Sequence, residues 1–331
     1  KLLNMPHALC HDNLISNYEE AELIETESLK APPGYDCFFY TSKDLTKLRV
    51  TVWNTGSIKG TIVLQSGRTE FTEKYFEVVS EFIERGYCIA MMDWRGQGKS
   101  SRVSIDPNIG HVDSFKDYDN DLSETLAEVY STLCPKPWIG MGHSMGGCLI
   151  ASHATNADSF DRIILCAPML SMRMSFLTKL AGLLLGLVSK LGFKQRAVQK
   201  PDFDEVSGWN FEDFNVNTLT SDPERYRRSH DLINQDPSLG LGGLTVGWLF
   251  EALKRTLIIK YSNWIDRIEK PLLLINATHD KLVDTKANAS LCNKAKRISQ
   301  IDLACKHEVL METDDIRKEA WSAIDLFLDS T

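Results

Sequence analysis

The chain has 331 residues, 43% of them hydrophobic and 25% charged, with a formal net charge of -8. That is the make-up of a soluble globular protein with one large domain or two ordinary ones, free of low-complexity tracts and solenoid-period repeats. The acidic balance excludes a dedicated nucleic-acid binder, whose phosphate contacts need a basic face, and eight scattered cysteines without a C-x-x-C pair argue for a reducing, cytoplasmic compartment and against a zinc site or disulfide framework.

In chain order, residues 1–34 read as an N-terminal extension, and its opening KLLNMPHALCHDN lacks the uninterrupted apolar core of a secretory signal. Strands are expected over Cys37–Tyr40 and Leu48–Trp53, with no helix between them, so these two form an antiparallel lead-in. Further strands follow at Thr61–Gln65, Tyr87–Met92, Trp138–Met141, Arg162–Cys166, Leu272–Asn276 and Ile298–Leu303. Most of these runs are too continuously apolar to keep a solvated face, which is how buried parallel strands read. Phe115, Tyr118, Leu122, Leu126, Val129 and Leu133 recur at helical spacing, as do Trp321, Ile324, Phe327 and Leu328. The alternation predicts an α/β fold, a mostly parallel sheet flanked by helices, built from residues 35–168 and 268–331.

Between them, residues 169–267 carry helical and loop patterns but no convincing strand, a stretch far longer than an ordinary crossover, and read as a helical cap insertion. Within it Phe176, Leu177, Leu180, Leu184, Leu187, Val188 and Leu191 repeat at three- and four-residue spacing, bracketed by Lys179, Lys190 and Lys194. Such a helix either packs on its neighbours or opens part of this face toward lipid, with the lysines near anionic head groups. Its apolar window, Leu180 to Val188, is far short of the ~20 residues of a membrane-spanning helix.

The stretch WIGMGHSMGGCLI sets Ser144 among glycines between two apolar runs. Gly142-His143-Ser144-Met145-Gly146 fits G-x-S-x-G, a strand turning sharply into a helix with the serine at the apex. A serine there needs a base and an orienting acid, in the order Ser, acid, His, each beyond the end of a strand. Asp280 follows Leu272–Asn276 and His307 follows Ile298–Leu303, so the order is met. Asp284 is a rival acid, and either aspartate could instead cap the next helix. His279 points elsewhere if Asp280 points inward, and His143, inside the elbow, packs or lines the pocket. The oxyanion donors expected are the backbone N–H groups of Met145 and, in the loop QSGRTEF, of Arg68. DWRGQGKSSR, residues 93–102, lacks the spacing of a phosphate-cradling or dinucleotide loop and reads as a structural turn whose charges tie neighbouring loops together.

Taken together, GRTEFTEKYFEVVSEFIERGYCIAMMDWRGQGKSSR, GHVDSFKDYDNDL, GHSMGG and HEVLMETDDIR resemble the lysophospholipase and monoacylglycerol-lipase branch of the α/β-hydrolases, nearest to bacterial lysophospholipases. The resemblance runs from about Gly60 onward. It implies a triad of Ser144, Asp280 and His307 under a helical cap, although many relatives carry His-Gly where this chain has Ser66-Gly67. The expected reaction is two-step hydrolysis of a lipid ester through an acyl-enzyme, with no metal or organic cofactor. Gly67, His143, Leu184, Leu187 and Trp248 are the candidate pocket residues. The substrate guess, a lysophospholipid, comes from the resemblance, and monoacylglycerol lipase, carboxylesterase or thioesterase activity would use the same residues. Peptidase activity has no site for a charged terminus to support it, a dehalogenase needs a carboxylate nucleophile, and a hydrolase fold kept as a scaffold is opposed by the intact triad. A transient contact with a membrane surface through the cap is the one further partner expected.

Overall fold

A computed structural model describes residues 18–54, 56–57, 59–189, 192–200, 202–204 and 208–330. Its main sheet has nine strands: β1 (Glu19–Glu20), β2 (Tyr35–Thr41), β3 (Lys47–Trp53), β4 (Thr61–Gln65), β5 (Cys88–Met92), β6 (Trp138–His143), β7 (Arg162–Cys166), β8 (Leu272–Ala277) and β9 (Ile298–Leu303). They lie in the order β1-β2-β3-β5-β4-β6-β7-β8-β9. From β5 to β9 every neighbouring pair is parallel, while β1, β2 and β3 join antiparallel. The central strands β4, β5, β6 and β8 are buried at every position, because helices cover both faces of a parallel sheet. By contrast β9, at the edge, exposes Ser299, Gln300 and Asp302, polar side chains that discourage further strand pairing.

Crossover helices are α1 (Phe76–Glu84), α2 (Phe115–Thr125), α3 (Met145–Asn156) and, in the second half, α7 (Thr285–Cys292), while α8 (Asp314–Asp329) follows the last strand. The apolar stripe read from Phe115 to Leu133 is buried throughout, running through α2 and a π-helical turn at Leu126–Tyr130. Strand order reverses at β4, with β5 on one side and β6 on the other. In an open α/β sheet that switch point, at the carboxyl ends of the strands, is where loops part to admit a ligand.

Between β7 and β8 lie α4 (Phe176–Ser189), α5 (Pro223–Gln235) and α6 (Val246–Tyr261). The sequence pattern showed no strand here, but the structure has short ones. Gly242–Thr245 pairs with Ala197–Gln199 on one side and with Ile109–Gly110, from the segment between β5 and α2, on the other. Phe203–Asp204 pairs with Gly208–Trp209. Strands of two to four residues are too short to display a two-residue period, so nothing in the pattern announced them.

Helix α4 packs through its small residues and leaves its leucine stripe outside. Its packed face is set by Gly182 and Gly186, where a Cβ would come 2.6 Å from Leu253 Cδ1 and 2.1 Å from Phe250 Cδ2 of α6. The leucine stripe therefore turns outward: Leu184 is 55% exposed and Leu187 54%, with Phe176, Leu177 and Leu180 also in solvent. These two leucines do not line an enclosed pocket. Lys190, Leu191 and the Val188 side chain lie outside the described residues.

Candidate active site

Ser144 sits at the end of β6 with φ of 51° and ψ of −115°, a left-handed backbone that a residue with a Cβ adopts only when its surroundings compel it. The glycines beside it are required by close approach. A Cβ on Gly142 would lie 2.5 Å from the backbone of Gly146, and one on Gly146 would lie 2.3 Å from the Gln65 carbonyl oxygen of β4. The bend is pinned from the next strand as well. The Ser144 N–H donates to the Cys166 carbonyl at 3.1 Å, and the Met169 N–H donates to the Ser144 carbonyl at 2.8 Å. Helix α3 starts at Met145, so its first N–H groups have no acceptor within the helix and face the serine.

His307 and Asp280 come together from the loops after β9 and β8. His307 Nδ1 lies 2.5 Å from Asp280 Oδ2, and both side chains are buried. Asp280 Oδ1 accepts the Leu282 and Val283 N–H groups at 2.7 and 3.0 Å. Burial favours the neutral acid, but the His307 interaction and the two N–H donors outweigh it and hold the carboxyl below its ordinary range. Asp284 does something else: it caps α7, accepting the Ala287 N–H at 3.0 Å. His279 is exposed.

His143 lies against His307, ring centroids 4.7 Å apart, and burial pushes its imidazole down to about 4, so it is neutral. Gly67 closes the cluster: a Cβ there would be 3.1 Å from Ser144 Cβ and 3.2 Å from His143 Cδ2. Ser144, His143, His307 and the Gly67–Arg68 turn therefore form one contiguous site at the switch point. The Gly67 N–H is engaged by Glu70 Oε2, whereas the Arg68 N–H has no acceptor among the described residues. The Arg68 side chain reaches the Gly242 and Gly243 carbonyls and lies 5.4 Å over the Trp248 ring, which is buried.

The sequence reads residues 93–102 as a structural turn that ties neighbouring loops together, and the structure shows which loop it holds. Gln97 Nε2 donates to the Gly67 and Glu70 carbonyls at 2.7 and 3.0 Å, and the Trp94 indole N–H donates to the Ser66 carbonyl at 2.9 Å. The DWRGQG segment is thus a buttress, tied in by Asp93, which accepts the Thr72 N–H at 2.9 Å and pairs with buried Arg49 at 2.7 Å. Lys74 Nζ meets Glu70 Oε1 at 2.9 Å and Glu308 Oε1 at 2.6 Å, linking the Gly67–Glu70 turn to the residue after His307. Glu70 and Lys74 stand four residues apart but Glu308 lies far along the chain, so no local pattern joins the three.

This sheet order, with an elbow after β6 and a His–Asp pair after β9 and β8, defines an α/β-hydrolase. The chain matches the family Hydrolase_4, described as serine aminopeptidase, S33, over residues 56–314, and it belongs to that family. It is 26% identical over 276 residues to the probable lysophospholipase L2 of Haemophilus influenzae, spanning 82% of this chain and 85% of that one. It is 28% identical over 280 residues to lysophospholipase L2 of Escherichia coli, spanning 80% and 78%. Among solved structures, a soluble variant of monoglyceride lipase from Saccharomyces cerevisiae superposes with a TM-score of 0.68 at 17% identity, over 89% of this chain and 96% of that one. A carboxyl esterase from Bacillus coagulans superposes with a TM-score of 0.70 at 19% identity, over 90% and 99%. At such identities these two likenesses speak for the fold alone.

Proposed function

We propose that the protein hydrolyses carboxylic esters of lipids, with a monoacyl glycerophospholipid as substrate, through an acyl-enzyme on Ser144. The observation that carries this reading is the positive-φ elbow at Ser144 lying in one cluster with the buried His307–Asp280 pair. His307 removes the Ser144 hydroxyl proton as the oxygen attacks the acyl carbonyl carbon. The N–H groups of Met145 and Arg68 receive the oxyanion. Asp280, kept ionised, fixes the His307 ring and stabilises its protonated form. The proton passes to the departing glycerol oxygen as the ester bond breaks, and water, deprotonated by His307, then releases the fatty acid and restores the serine.

The lysophospholipase relatives support the phospholipid choice, and the sequence resemblance to the monoacylglycerol-lipase branch makes a neutral monoacylglycerol the second reading. Residues 169–267 serve as the cap over the site. No helix among the described residues is long and apolar enough to cross a membrane; the outward face of α4, with Phe176, Leu177, Leu180, Leu184 and Leu187, supports a peripheral contact with lipid instead. The seven described cysteines, all free and buried, suit a reducing compartment. Labelling the folded protein with a fluorophosphonate and mapping the adduct tests the mechanism: the label is expected on Ser144, and a label elsewhere, or none, ends the serine-hydrolase reading.

A further inference from the structure

Among the described residues the Arg68 guanidinium has no counter-ion. Arg49, Arg95, Arg255 and Arg317, all buried, each meet a carboxylate. Arg68 meets none among the described residues; its Nη1 donates to the Gly243 and Gly242 carbonyls at 3.0 and 3.3 Å, and its other N–H groups have no acceptor there. Desolvation lowers it to about 10, still well above neutral pH, so the side chain stays cationic. Arg68 is half-buried, and a cation held against two carbonyls and the face of Trp248 keeps free N–H groups that an anion can engage.

Its place says which anion. The Arg68 backbone lies one residue from Gly67, which abuts Ser144 Cβ, while its side chain runs to the cap strand Gly242–Thr245. An ester whose leaving group extends from Ser144 toward the seam of core and cap would meet the guanidinium along that group. In a monoacyl glycerophospholipid that position, across the glycerol from the ester, holds the phosphate. The planar fork of a guanidinium matches phosphate oxygens, two at a time. We propose that Arg68 binds the headgroup phosphate and makes the enzyme prefer phosphate-bearing monoacyl lipids over neutral ones. The same cation repels a protonated amine, which disfavours a peptide N-terminus at this site.

The proposal rests on Ser144 as nucleophile, and its test separates the two. kcat/KM is measured for lysophosphatidylglycerol and for monoacylglycerol of the same acyl chain, with the wild-type protein, Arg68→Met and Arg68→Lys, all of which keep the backbone N–H. Losing a charge-assisted contact should lower the phospholipid-to-monoacylglycerol ratio about ten- to a hundredfold in Arg68→Met, with partial recovery in Arg68→Lys. In the wild type alone, glycerol 3-phosphate should inhibit hydrolysis of a short neutral ester where glycerol at equal concentration does not. An unchanged ratio, or equal losses on both lipids, overturns the proposal and leaves Arg68 as a tie between core and cap. Should neither lipid be hydrolysed and Ser144 fail to take a fluorophosphonate, the underlying mechanism falls instead.

Discussion

Replacing Lys74 with Met isolates the contribution of one buried charge to two loops at once. The Lys74 side chain is 8% exposed, and those of its partners Glu70 and Glu308 are 5% and 7% exposed. The ammonium offsets burial enough to hold the Glu70 carboxyl below its ordinary range, whereas at Glu308 desolvation, with the nearby Glu70 charge, outweighs the ammonium and holds the carboxyl above it. Methionine keeps the length of the side chain and strands two carboxylates that face one another. Breaking a buried pair by removing one partner costs about 3–5 kcal/mol. Both loops lose their tie, so turnover on a short soluble ester should fall together with stability. Urea denaturation at pH 7 gives the stability, and initial rates well below the unfolding transition give the turnover. The stranded carboxyls bind protons more readily folded than unfolded, so the deficit of Lys74→Met should shrink as pH falls from 7 toward 5. Adding Glu70→Gln and Glu308→Gln removes all the charge and should recover most of the lost stability. If Lys74→Met stays within about 1 kcal/mol of wild type, below the range for a broken buried pair, and turns over normally, the ammonium is not what joins the loops.

Two further outcomes follow from the same geometry. His143 is buried with its imidazole lowered to about 4 from an ordinary 6.5; at pH 5 the unfolded chain binds that proton and the folded one does not, so stability present above pH 6.5 is lost on acidification. One such histidine accounts for about 2 kcal/mol between pH 7 and pH 5, and His143→Gln should reduce the measured pH dependence by that amount; an unaltered slope would place the sensitivity elsewhere. For α4, replacing Leu184 and Leu187 with Ser should weaken binding to anionic vesicles about a hundredfold or more, since each buried leucine contributes roughly 1.5–3 kcal/mol, while hydrolysis of a short soluble ester continues; equal vesicle binding by both proteins would remove the lipid-facing role.

How far the sequence carried depended on the range of each interaction. Strands such as Thr61–Gln65 and Leu272–Ala277 were legible because full burial leaves a continuous apolar run, a property of a few adjacent residues. The elbow was legible because close backbone contact at Gly142 and Gly146 admits no Cβ, and that restriction is written locally. On α4 the helical period gave an apolar stripe correctly but could not say what the stripe faces; two glycines let α6 approach from the other side, and the leucines went to solvent. The cap strands were lost to their shortness, and the choice between Asp280 and Asp284 waited on direction: one carboxylate reaches His307 and the other reaches its own helix.

The Lys74 link was the least legible feature, since its partners stand at positions 70 and 308 and only folding makes them neighbours. Buried ion pairs are poor contributors to stability, because desolvation consumes most of the attraction, so a merely stable core would do as well with apolar side chains here. What charge adds is direction. The Gly67–Glu70 turn is held by Glu70, Gln97 and Trp94, and the His307 loop is joined to it through Glu308 and Lys74. Apolar packing tolerates slippage between such loops, whereas hydrogen bonds to fixed acceptors set their separation. A reaction that needs an oxyanion donor and a base on opposite sides of one carbonyl depends on that separation, which gives a reason for charge to sit where hydrophobic packing would be the cheaper choice.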